Sequence, residues 1–225
     1  MQQLALVQPL AAGGDARWIG LAGDRLLSPD GIDVFDDPGL QVGPTYLLLV
    51  GALRAGARAL GLSVWSVTGA VLSVLVVGGV LLALRWAGSA LVARWAVGVP
   101  LIVGGALSEA LMSGHPEELG VGVLLVLAAL AARRGSVVLA PLLVGLAASS
   151  KLWGVIGVAL LLMALPAGRA GIRALATRAA VVTAVGAIAY VPFFVAGDVR
   201  TFGFVWAVDP YSAVGMLTGL SGVAP

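Results

Sequence analysis

A few side chains of this chain could move a proton or hold an anion, and they fall at distinct places. Asp15 follows Gly13-Gly14 at the head of a polar stretch. Read structurally, it caps or opens a helix that begins at Ala16. Read chemically, it is a general base. Glu109 lies inside an apolar segment, where a charge is costly and an ionisable group is a functional candidate by default. In Ser113-Gly114-His115-Pro116-Glu117-Glu118, Pro at a first helical position and two acids in the first turn are ordinary helix-start chemistry. His115 and Glu117 in the same turn could also line a polar cavity. Lys151 divides two short apolar segments, as a snorkelling interfacial cation or as a point charge for a phosphate. Arg54 and Arg58 are rival phosphate ligands, four residues apart and so on one helix face.

Much other chemistry is excluded. There is no Cys, so there is no thiolate nucleophile or thiolate metal site. A single His makes a His-based metal centre improbable, and no visible residue pattern calls for a metal. No phosphate-binding loop, dinucleotide fingerprint, HExxH or nucleophile elbow occurs.

The elements that must position these groups are set by composition. Of 225 residues, 60% are hydrophobic and 11% charged, with mean hydropathy +1.06. Soluble domains carry about 25% charged residues, so a water-soluble globule is excluded. Thirteen basic residues spread along such a chain leave no nucleic-acid footprint. The expectation is an all-α, polytopic membrane protein with about six transmembrane or part-spanning helices plus an outer juxtamembrane helix.

Along the chain, residues 1–12 are apolar but too short to span, and read as a truncated first span or an interfacial segment. Residues 13–43 hold six Asp against Arg17 and Arg25 and read as an ordered loop with short helices. Residues 44–61 start at Pro44 and carry Arg54 and Arg58, which suits a juxtamembrane helix. Spans are expected at 62–84, about 95–113, about 116–132 and about 179–197. The segments 136–150 and 152–166 would each reach only about 22 Å as helices, which suits helices lining a cavity. The domain division that follows is an outer-face loop and helix over 1–61, a helical module over 62–197 and an outer-face tail over 198–225.

Orientation follows from the arginines. The turns at 85–94, 133–135 and 167–178 hold Arg85, Arg94, Arg133, Arg134, Arg169, Arg173 and Arg178 and no acid, which marks the cytoplasmic side. Every acid except Glu109 then falls to the outer face, with Lys151 and His115.

This order of features resembles the GT-C superfold of membrane glycosyltransferases, closest to the actinobacterial polyprenyl-phosphate-mannose-dependent mannosyltransferase type. Gly14-Asp15 is similar to the acidic motif of the first outer loop. Gly43-Pro44-Thr45-Tyr46-Leu47-Leu48 is similar to the Pro-Pro-hydrophobic start of the juxtamembrane helix, with one Pro replaced. Gly114-His115-Pro116-Glu117 resembles the polar turn before the fourth span. Ala140 to Lys151 resembles the small-residue short helix that ends in Lys. The first span and the later spans of that family have no counterpart, so the chain reads as a fragment, a split gene product or a degenerate copy.

The resemblance implies an inverting transfer of a hexose or pentose from a polyprenyl-phosphate donor to an acceptor hydroxyl at the outer face of a bacterial cytoplasmic membrane. It implies no cofactor beyond that donor, and an acceptor that is a glycan, lipid or protein. Asp15 would deprotonate the acceptor. Lys151, or Arg54 and Arg58, would hold the departing phosphate. Glu109, His115 and Glu117 would shape the cavity. The alternative expectation is a non-catalytic membrane scaffold or a transporter fragment, although no internal repeat of the transporter kind is evident.

Overall fold

In the computed structural model, residues 14–166 and 168–201 are described; the expected segment 1–12 and the tail beyond Thr201 lie outside them. The described residues are helical throughout, without strands. The order is α1 (Gly14–Leu26), a 3-10 turn (Gly31–Asp36), α2 (Pro44–Ala59), α3 (Val64–Trp86), α4 (Leu91–Val103), α5 (Ala106–Ser113), α6 (Pro116–Arg133), α7 (Leu139–Ser150), a second 3-10 turn (Leu152–Ile156), α8 (Gly157–Met163) and α9 (Gly168–Ala196).

Three helical stretches are long and apolar enough to cross a membrane: Val64–Trp86, Leu91–Ser113 and Gly168–Ala196. The second is interrupted, because Pro100 lies inside α4 and the Gly104-Gly105 pair ends it before α5 begins. α7 is short and apolar, as its sequence length requires, and Lys151 is the extended residue that closes it. The acidic region is more regular than the ordered loop read from its Pro and Gly content. Residues 14–26 form one helix that starts at Gly14, so Asp15 lies in its first turn rather than capping a helix from Ala16. Packing is the reason: Ala16 and Ile19 are buried, and α1 lies along α2.

The main core gathers Phe35 of the first 3-10 turn, Leu47 of α2, Leu72 of α3, Leu107 and Leu111 of α5, and Phe193 of α9. Phe35 meets Phe193 edge-on, with ring centroids 4.9 Å apart. A second cluster of Ala128, Ala132, Ala140, Val144 and Leu161 joins α6, α7 and α8. Its alanines let the backbones of α6 and α7 approach closely, as small residues do in lipid.

Two glycines fix the geometry that matters most. Gly114, between α5 and α6, has φ +88°, and a Cβ there would lie 2.3 Å from the backbone nitrogen of Ala16. Only glycine allows both that conformation and that approach. The start of α1 is thereby held against the α5–α6 turn. Gly43 does the same for α2 and α7. Its N–H donates to the Ser150 carbonyl at 2.8 Å, and a Cβ would meet the Ser149 carbonyl oxygen at 2.2 Å. Beside it, Thr45 Oγ1 donates to Ser149 Oγ at 2.7 Å.

Candidate active site

These two contacts bring three separate stretches of chain together. Asp15 comes from the first turn of α1, His115 from the α5–α6 turn, Glu117 and Glu118 from the first turn of α6, and Lys151 from the end of α7. Asp15 Oδ2 lies 2.8 Å from His115 Nε2. The other ring nitrogen, Nδ1, is 3.1 Å from Glu117 Oε1. Lys151 Nζ donates to the same Glu117 oxygen at 2.9 Å and to Glu118 Oε1 at 2.7 Å. The result is a continuous chain from Asp15 through His115 and Glu117 to Lys151 and Glu118.

Hydrogen-bond capacity constrains the ring. A neutral imidazole has one N–H, and an ionised carboxylate can only accept. His115 therefore satisfies ionised Asp15 and ionised Glu117 together only when both of its nitrogens carry protons. Burial is graded along the chain: the Glu117 side chain is 0% exposed, whereas that of Asp15 is 49% exposed and open to a ligand. Glu117 Oε1 accepts from Lys151 Nζ and lies beside His115 Nδ1, while its Oε2 is buried with no partner. The N-terminus of α6 adds a favourable potential for Glu117 and Glu118.

Burial opposes the charge of Lys151, but the two glutamates outweigh it and hold the ammonium above its usual range. His115, Glu117 and Glu118 also present ligand atoms within 4.8 Å of one another, a spacing that suits a cation. The Lys151 ammonium already contacts both glutamates and supplies that positive charge itself.

A groove of about 380 Å³ meets this cluster through Glu117, the one member of it that lines the groove. Thr45, Glu117 and Ser150, all near helix ends, are polar residues of its lining. Farther along α3 and α6 the walls are apolar, with Leu72, Val76 and Leu127. Tyr46 also lines it, and burial followed by the charge of Glu117 pushes its phenol well above the usual value, so it presents a neutral hydroxyl.

The remaining expected site residues fall elsewhere. Arg54 and Arg58 do share a face, but both face Asp24 of α1. Arg54 donates through Nε and Nη2 at 3.1 and 2.8 Å, and Arg58 through Nη1 and Nη2 at 3.1 and 2.8 Å. Arg54 is buried and also stacks on Trp65, 4.7 Å from the ring centroid. These arginines pin α1 to α2. Glu109 is exposed on α5 and is not part of the cluster.

Asp24 and Glu118 were not singled out by sequence. Glu118 carried a signal, since it neighbours Glu117 in the first turn of a helix. Asp24 carried none, being one of six Asp in its region. No protein family, curated protein or solved structure matches the chain.

Proposed function

We propose that this chain belongs to the GT-C type of membrane glycosyltransferases and forms the outer-face site of a transfer from a polyprenyl-phosphate sugar to an acceptor hydroxyl. The observation that carries this reading is the meeting of Asp15, His115, Glu117 and Lys151 in one cluster whose Glu117 lines an apolar groove. An isoprenoid chain fits a wall of Leu72, Val76 and Leu127, and its phosphate and sugar would then lie at the cluster. The arginine-rich helix ends support the orientation. Arg133 and Arg134 close α6, while Glu117 opens it, and the length of that helix sets them about 25 Å apart.

In this reaction the Asp15 carboxylate takes the proton of the acceptor hydroxyl as its oxygen attacks the anomeric carbon. The new C–O bond forms as the bond from that carbon to the phosphate oxygen breaks, and the electron pair leaves on the phosphate. Inversion follows from the single displacement. His115 orients Asp15, and Glu117 Oε2 in the groove wall accepts a sugar hydroxyl. Lys151 turns from exposed Glu118 to the departing phosphate and neutralises its charge.

The test is sugar transfer in membranes containing this chain, with a polyprenyl-phosphate hexose as donor. Asp15→Asn is expected to lower turnover by about 10²–10⁴-fold, the usual contribution of a general base. Unchanged transfer removes Asp15 from the mechanism. Full tolerance of changes at Asp15, Glu117 and Lys151 would favour the scaffold alternative.

A further inference from the structure

Arg178 is the other buried charge that calls for explanation. It lies on α9 and is only 3% exposed. Its Nη1 donates to the Leu161 carbonyl at 2.5 Å, and its Nε is buried without a partner. No Asp or Glu occurs between Glu118 and Asp198, so α7, α8 and α9 contain no carboxylate to balance it. Arg178 is among the residues that line a cavity of about 210 Å³ between α8 and α9, with Val158, Leu162, Leu175 and Val182. Leu162 and Leu175 are 49% and 42% exposed, so one side of the cavity opens outward along apolar surface.

Depth adds a second argument. α9 has 29 residues and is about 43 Å long, well beyond a hydrocarbon core of about 30 Å. Its uncharged part, 179–196, covers about 27 Å and fills that core by itself. Arg169 and Arg173 then project beyond the core, and Arg178 sits at its boundary, the depth of lipid phosphates. A buried, uncompensated guanidinium at that depth, beside an apolar wall open to lipid, needs an anion with a hydrocarbon tail.

We propose that this cavity binds an anionic phospholipid, with its phosphate on the Arg178 guanidinium and an acyl chain over Leu162 and Leu175. The lipid supplies the counter-charge that α7, α8 and α9 lack and ties α8 to α9. The site lies at the arginine-rich end of the helices and is independent of glycosyl transfer.

The experiment is lipid titration of the purified full chain in neutral detergent, read by native mass spectrometry. Phosphatidylglycerol is expected to bind about tenfold more tightly than phosphatidylcholine, whose phosphate is the same but whose choline cation cancels the net charge that Arg178 needs. Arg178→Gln removes that preference, and Arg178→Lys keeps part of it. Leu175→Trp obstructs the tail position without touching the guanidinium and also weakens phosphatidylglycerol, which keeps the test decisive if Arg178→Gln fails to fold. Arg169→Gln and Arg173→Gln leave the preference intact. Millimolar inorganic phosphate does not displace the lipid. Equal binding of the two lipids, loss of the preference only in the Arg169 and Arg173 variants, or full displacement by free phosphate would each overturn the proposal.

Discussion

Arg54 and Asp24 form a two-pronged ion pair across α1 and α2, with Nε and Nη2 each on one carboxylate oxygen at 3.1 and 2.8 Å. The Arg54 side chain is 7% exposed, that of Asp24 24% and that of Arg58 49%, so the three charges differ in how far water screens them. Removing Asp24 strands a buried guanidinium. Asp24→Asn should therefore destabilise the protein by roughly 2 kcal/mol, below the 3–5 kcal/mol of a fully buried pair because Asp24 is partly solvated. Arg58→Gln should cost less than about 1 kcal/mol, as a solvent-exposed pair does. Thermal unfolding in detergent checks the ranking; equal losses would contradict it.

The same pair predicts an acid limit. Burial works against the Asp24 charge, but the hydrogen bonds from Arg58 and Arg54 outweigh it and hold the carboxyl below its ordinary 3.8. A depressed carboxylate contributes stability that is fully present above its unfolded value and is lost as pH falls through its folded value. Unfolding midpoints measured from pH 5 downward should therefore fall more steeply below 3.8 in the wild type than in Asp24→Asn.

Lys151 gives the opposite sign. Its raised value means that its contribution is present below 10.5 and disappears as pH rises through the folded value. Lys151→Met leaves buried Glu117 with only the His115 ring beside its Oε1 and should cost roughly 2–3 kcal/mol, below the 3–5 kcal/mol of a fully stranded charge. Adding Glu117→Gln removes the stranded charge and should restore more than about 1 kcal/mol of that loss. A double-mutant cycle by thermal unfolding reads this coupling; simple additivity would show that the two side chains do not act on one another.

Gly114 tests the positioning of Asp15. Gly114→Ala forces a Cβ into the Ala16 backbone nitrogen at 2.3 Å and strains a φ of +88°. The expected cost is about 1–3 kcal/mol. It should also separate Asp15 from His115, so that sugar transfer falls more than stability at the assay temperature accounts for. Gly56→Ala, a glycine of α2 with nothing near its Cβ position, is the control.

What could be read in advance was local. Pro44 and Pro116 open helices because a fixed φ and a missing N–H suit a first turn. The apolar runs form the long helices α3 and α9, and the polar break at Lys151 ends α7. Arg54 and Arg58 share a face because helical period depends on spacing alone. Their partner was not legible: six Asp in one region offer six equivalent carboxylates, and only the packing of α1 on α2 selects Asp24. The surroundings of Glu109 were not legible either. Its place in an apolar run made it a functional candidate, and the break at Gly104-Gly105 divides that run into two helices, with Glu109 exposed on the second.

By itself, then, the sequence determined a membrane-type helical chain, its helix starts and the scarcity of its charges, because hydropathy, proline and period act over a few residues. The tertiary structure decided which of those charges meet. Asp15 and Lys151 meet the His115–Glu117 turn because Gly114 and Gly43 allow backbones to touch, and Arg178 has no carboxylate partner because α7, α8 and α9 carry none. Pairing energies at contact distance depend on ångströms set by packing, and no spacing along the chain encodes them.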